Sequence, residues 1–219
     1  MNLDLNNLPS TTSDLFQKLA KEKYMNRFSL IGGSALALQL GHRQSEDLDF
    51  VFDGEKIESI SIKRFIAKLF PEYHLIREEA GYQLDFLVNG VKLTLFSTGS
   101  VLIPFAVKEH TFQNGNVNIT SVAIIATLKL ATISQRCTIR DYYDLYYIAR
   151  NILPLSEIYK TTKLLIPNLS PITYSENIVY TKDIPENSIS DHLFPKERVT
   201  KTQIAEYFIE EIKKMKALK

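Results

Sequence analysis

Leu30-Ile31-Gly32-Gly33-Ser34, then twelve residues, then Asp47-Leu48-Asp49-Phe50, is the most informative stretch of the chain. Phe28 to Ile31 reads as a short strand halted by Gly32 and Gly33. Ser34 then opens a short helix over Ala35 to Leu40, which Gly41 ends. Leu48, Phe50 and Phe52 alternate with Asp47 and Asp49, the period-2 pattern of a half-buried strand. Residues two apart on a strand share a face, so both carboxylates project together. Such a pair repels itself and shifts its own titration unless something offsets the charge. A hard divalent cation does so, and Mg²⁺ takes one or two carboxylates plus substrate phosphate oxygens. The glycines let backbone approach a phosphate, the following helix start offers free N–H groups, and Ser34 adds a hydroxyl. A Gly-Gly pair alone is usually a plain turn, and Asp-x-Asp alone is usually a solvated face. Together, in strand–turn–helix–strand order, they describe a cradle for a triphosphate and its metal.

The residues resemble a known family. The pattern is similar to the nucleotidyltransferase fold of DNA polymerase beta and, more closely, to the AbiEii/AbiGii toxin family. Three segments carry the likeness. The first runs Ile31-Gly32-Gly33-Ser34-Ala35-Leu36-Ala37 to Gly41-His42-Arg43-Gln44-Ser45-Glu46-Asp47-Leu48-Asp49-Phe50, and includes a His-Arg-x-Ser element. The second is Leu128-Lys129-Leu130-Ala131 followed by Arg136, and the third is Arg140-Asp141-Tyr142-Tyr143-Asp144-Leu145-Tyr146. The likeness covers residues from about 28 to 150. It implies an α/β (α+β) nucleotidyltransferase domain with a mixed sheet, followed by a mostly helical bundle domain. It also implies that Lys129 and a late aspartate, Asp144 or Asp141, belong to the active site. NTP would be the substrate, tRNA or another RNA the favoured acceptor, and Mg²⁺ the cofactor, with Mn²⁺ as an alternative. The same resemblance suggests the toxin of a toxin–antitoxin or phage-defence pair, and hence a cognate antitoxin as partner.

The rest of the chain sorts into two halves. A first helix is expected over Ser13 to Arg27, capped by Ser13, and another from Ile57 to Leu69, stopped by Pro71. Tyr82 to Val88 and Val91 to Phe96 flank Asn89-Gly90, a strong hairpin signal. Val117 and Ile119 suggest a further strand. From Ser121 to about Asn151 the pattern is apolar-periodic without Gly or Pro and reads as one or two long helices, with another over Ser156 to Leu165. Pro167 to Pro195 is polar and punctuated by proline, an extended excursion. Lys201 to Leu218 closes as an amphipathic helix through Ile204, Phe208, Ile212 and Met215. The expected domains are therefore 1–120, nucleotidyltransferase-like, and 121–219, a helical bundle.

On one continuous helix, Lys129, Arg136 and Arg140 fall at offsets of seven and four and form a cationic stripe suited to phosphates. Asp144, four residues past Arg140, would hold its guanidinium. Spacing alone equally describes a solvated face with an ordinary ion pair. Cys137 lies on the same expected helix and reads as core. In the proposed chemistry Asp47 and Asp49 bind Mg²⁺, Gly32, Gly33 and Ser34 hold phosphates, and Arg43 and Lys129 neutralise developing charge. Nucleotidyltransferases commonly add a third carboxylate on a later strand, where this chain has Thr94; Asp85, across the hairpin, is a substitute whose facing is open. That gap keeps two alternatives in view: an NTP- or RNA-binding module without turnover, and a small-molecule nucleotidyltransferase of the aminoglycoside type.

Composition narrows the classes further. The 219 residues carry 26 basic and 25 acidic side chains, a net charge of +1, so no global basic field exists to draw in nucleic acid. A single cysteine, Cys137, leaves neither an intrachain disulfide nor a thiolate zinc cluster within this sequence. No apolar run approaches the ~18 residues of a membrane span, and the first residues lack the basic-then-apolar order of a secretory signal. The expected location is cytoplasmic, with no membrane partner. The four histidines, His42, His74, His110 and His192, show no ligand spacing.

Overall fold

The computed structural model describes residues 3–101 and 103–217. These divide into two compact units, 1–121 and 122–219. The first holds strands β1 (Phe28–Ile31), β2 (Leu48–Phe52), β3 (Tyr73–Glu79), β4 (Gln83–Val88), β5 (Val91–Ser97), β6 (Thr111–Asn114) and β7 (Val117–Thr120). Its helices are α1 (Ser10–Ala20), α2 (Gly32–Leu40), α3 (Ser59–Leu69) and the short α4 (Thr98–Val101). The strands form one sheet in the order β3-β4-β5-β2-β1-β7-β6. β1 runs antiparallel to β2 and parallel to β7, while β2 runs parallel to β5, so the sheet is mixed.

Cross-strand register explains the core. Ile119, Leu30, Phe50, Leu95 and Leu84 form one line across five strands, and each is fully buried. Leu48, Leu93 and Phe86 form the next line on that face, equally buried. Apolar side chains of this size stabilise the fold by roughly 1.5–3 kcal/mol each when buried. α2 is apolar on every side, with Ala35 to Leu38 all buried, as suits an enclosed helix. The opposite face carries Ile31, Asp49, Thr94 and Asp85 in one line.

The second unit is helical: α5 (Val122–Ile133), α6 (Ile139–Asn151), α7 (Leu155–Leu165), α8 (Pro171–Val179) and α9 (Lys201–Ala217). No helix among the described residues is long and apolar enough to cross a membrane.

Several expectations need correction. α1 starts at Ser10 behind Pro9 and stops at Ala20, with a 3-10 turn over Lys23–Arg27, so Ser13 lies inside the helix rather than capping it. α2 begins at Gly32, two residues before Ser34. The segment expected to be extended contains α8, capped by the Ser170 side chain with Pro171 in the first turn. Of the one or two helices expected over Ser121 to about Asn151 there are two, with residues 134–138 between α5 and α6. Cys137 therefore sits in a turn, half-buried, rather than on a helix in a core. Leu218, the expected end of the last helix, lies outside the described residues.

Candidate active site

The glycine turn and the Asp49 carboxylate meet at the end of β1. Asp49 pairs directly with Ile31, the residue before the glycines. Gly32 has φ +70°, a left-handed conformation that glycine adopts without strain. A Cβ built there would stand 3.3 Å from Asp49 Oδ2. At Gly33 it would stand 2.8 Å from both Arg43 Nη2 and Ser45 Oγ, so a side chain there would displace one or both. The positive φ at Gly32 favours glycine there, while both glycines allow the close approach of the carboxylate on one side and of the Arg43 and Ser45 side chains on the other.

That segment is fastened in place. Thr12 Oγ1 donates to the Glu46 carbonyl at 2.7 Å, and Arg43 Nη1 donates to the Gln44 carbonyl at 2.8 Å. Ser34 Oγ donates to the Asp47 carbonyl, so the hydroxyl expected to face phosphate ties the helix start to the strand entrance. Ser34, His42 and Arg43 are buried, whereas Asp47 and Asp49 are half-exposed around the buried Leu48. Asp47 precedes β2 rather than lying within it. The N-cap residue of α2, Ile31, has no side chain able to cap the helix, and a helix start is a setting suited to an anion.

Beyond Asp49 the sheet answers the question of the third acid. Thr94 is the register partner of Asp49 on β5, and Asp85 is the partner of Thr94 on β4. Asp85 therefore shares the face of Asp49, two strands away. Its carboxylate is buried, accepts from Gln83 Nε2 at 2.8 Å and lies 3.5 Å from Lys92 Nζ. Thr94 Oγ1 is buried without a hydrogen-bond partner. Among the described residues no three or more His, Cys, Asp or Glu side chains are grouped to hold a metal ion. Asp49 on this face, with Asp47 two residues before it, is the kind of donor set that a Mg²⁺ completed by substrate oxygens would take.

The other sequence-derived residues belong to the helical unit. Lys129 on α5 is buried, 2.6 Å from Asp141 Oδ1 and 2.7 Å from Asp144 Oδ2. Asp141 also accepts from Arg136 Nε at 2.9 Å and Thr138 Oγ1 at 2.6 Å. Burial works to raise the Asp141 pKa, but the charges of Lys129 and Arg136 and these hydrogen bonds outweigh it, leaving the carboxyl below its usual value. The expected stripe does not exist: Lys129, Arg136 and Arg140 lie on α5, the connecting turn and α6 respectively. Asp144 pairs with Lys129, and Arg140 is exposed, so the expected Arg140–Asp144 pair is replaced by a buried lysine between two aspartates.

This mixed sheet, its glycine turn and its paired carboxylates define a nucleotidyltransferase-type domain. The sequence matches the family described as nucleotidyl transferase AbiEii toxin, type IV toxin–antitoxin system, over residues 13–168. The chain belongs to that family. It is 30% identical over 182 residues to an uncharacterized protein of Aquifex aeolicus (strain VF5), covering 81% of this chain and 85% of that one. Its fold is similar to that of a crystal structure from H. pylori described as a candidate nucleotidyltransferase, with TM-score 0.58, 16% identity, and 95% and 96% of the two chains covered. A nucleotidyltransferase toxin of Mycobacterium tuberculosis H37Rv aligns with TM-score 0.48 and 14% identity, over 91% of this chain and 82% of that one.

Proposed function

We propose that this nucleotidyltransferase transfers a nucleoside monophosphate from an NTP to a hydroxyl of an RNA acceptor, tRNA being favoured, and that a cognate antitoxin restrains it. The supporting observation is the placement of Asp49 against Gly32, which sets a carboxylate beside a helix start able to hold phosphate. Asp47 and Asp49 would hold Mg²⁺, or Mn²⁺ in its place, which supplies charge neutralisation at the triphosphate. The N-terminal amides of α2 would orient the outer phosphates, with Gly32 and Gly33 giving them access. Arg43, packed against Gly33, keeps that turn in shape. The acceptor oxygen forms a bond to the α-phosphorus as the bond to the β-phosphate bridging oxygen breaks. Pyrophosphate leaves with the electron pair, and the acceptor proton passes to solvent. Catalysis in this scheme is positioning and electrostatic stabilisation.

The resemblance also assigns Lys129 and Asp144 to the chemistry. Within their own unit, the role proposed for Asp141 and Asp144 is to fix the Lys129 ammonium.

The test incubates the protein with labelled NTPs, Mg²⁺ and total RNA, beside Asp47→Ala. Label entering RNA with wild type alone is the expected result; no transfer to any acceptor under these conditions defeats the reading. A second reading, nucleotide binding without turnover, draws on Thr94 standing in register with Asp49 where an acid would serve. NTP binding by calorimetry, without product at high sensitivity, would favour it.

A further inference from the structure

The open end of the sheet face beside the carboxylates has a polarity of its own. In strand order β5-β2-β1, Asp49 stands between the glycine turn on one side and β5 on the other. Leu48 pairs with Leu93, and Asp47 and Lys92 are each the residue before that pair on its own strand segment. Lys92 in turn pairs with Leu87 on β4, and Leu87 with His74 on β3. One line across the sheet therefore reads Lys92, Leu87, His74, leading away from the carboxylates over roughly 10 Å, two strand spacings.

All three side chains are solvent-exposed, including a leucine that a sheet face would otherwise hide. The Lys92 side chain is 46% exposed while that of its partner Asp85 is 6% exposed, so the pair turns its cation outward and its anion inward. One line over, Arg77 and Glu79 of β3 pair with each other at 2.9 Å. Lys92 is the outward-facing cation of the β4–β5 hairpin on this line.

We infer that this line is the acceptor track, on which the 3′ end of a single-stranded RNA lies with its last phosphodiester on Lys92. Leu87 and His74 offer an apolar and a planar surface to the preceding sugar and base, as single-strand binders do. Asp85 is a positioning residue: from its buried site it draws the ammonium toward β4 and away from Asp47, leaving the carboxylates to the NTP side. A cation here attracts a polyanionic acceptor and repels a cationic small molecule. The inference rests on the proposed transfer to RNA and adds the surface on which the acceptor lies.

The test is binding of a short 5′-labelled single-stranded RNA with a free 3′ hydroxyl, read by fluorescence anisotropy across a salt series without nucleotide. Lys92→Gln is expected to weaken binding about 5–10-fold and to reduce the salt slope by about one. NTP binding by calorimetry stays as in wild type. Asp85→Asn weakens RNA binding in the wild-type background and has no further effect in Lys92→Gln. A merely structural Asp85 would instead lower the melting temperature equally in both without that coupling. If Asp85→Asn does not fold, Lys92→Gln alone decides. Wild type that binds no RNA at any salt, or Lys92→Gln that binds as tightly with the same slope, overturns the track. Absence of monophosphate transfer to every acceptor would instead strike the proposed function, since no nucleotide enters the binding assay.

Discussion

The Asp49 carboxylate lies so close to Gly32 that a methyl group there would begin 3.3 Å from its Oδ2. Antiparallel pairing of Asp49 with Ile31 brings about this approach, and the left-handed backbone at Gly32 keeps the space open. One residue type at one position thus serves both the turn and the carboxylate.

Gly32→Ala is accordingly predicted to lose stability and function together. A non-glycine residue held at positive φ costs of order 1–3 kcal/mol where surrounding structure fixes it, and the new methyl presses on the carboxylate. Urea denaturation should show the loss, and NTP affinity measured by calorimetry should fall. Unchanged values of both would mean that the turn relaxes freely.

Thr94 gives a prediction of the opposite sign. Its hydroxyl is buried with no hydrogen-bond partner, and such a group costs about 1–3 kcal/mol. Thr94→Val keeps the shape, so it should leave stability unchanged or raise it by about 1 kcal/mol. A clear loss in urea denaturation would reveal a bond that the structure lacks.

In the helical unit, Lys129 lies between Asp141 and Asp144. Removing one partner from such a buried set leaves uncompensated charge, at a cost of about 3–5 kcal/mol. Lys129→Met should therefore destabilise the protein by about that amount at neutral pH, and less in acid, where the aspartates can take protons.

Asp141 sets a pH dependence. Its folded pKa is depressed below 3.8 because Lys129, Arg136 and Thr138 favour the carboxylate over the opposing effect of burial. Its contribution is present above the unfolded value and is lost as pH falls through the folded one. Asp141→Asn should lie well below wild type in stability at pH 7 and approach it in acid, as pH falls through the depressed folded value. A stability gap that stays constant across that range would contradict this assignment.

How much of this was legible in the sequence depends on the element. The β4–β5 hairpin was plain because Asn89 and Gly90 both take positive φ, 51° and 80°, as a tight hairpin turn demands. The strand that carries Asp49 was legible because Leu48 and Phe50 alternate with it, whereas its antiparallel register against Ile31 needed the structure. β3 was not legible: none of Tyr73–Glu79 is buried, so no alternation marks it. α8 was hidden in a polar stretch because Tyr174 and Ile178 are its only buried residues. The break between α5 and α6 has no glycine or proline to signal it. Short-range side-chain bonds from Arg136 and Thr138 to Asp141 hold the turn there, and apolar periodicity does not report them. The facing of Asp85 needed the actual register, which places it with Asp49 and Thr94.

The most direct measurement is calorimetric titration of NTP into wild type and into the Asp47→Asn/Asp49→Asn double variant, each with Mg²⁺ and with chelator. Wild type should bind only when the divalent ion is present, and the double variant should bind at least about tenfold more weakly, a difference of about 1.4 kcal/mol. Equal affinity in chelator, or in the double variant, would show that nucleotide is held somewhere other than at these carboxylates.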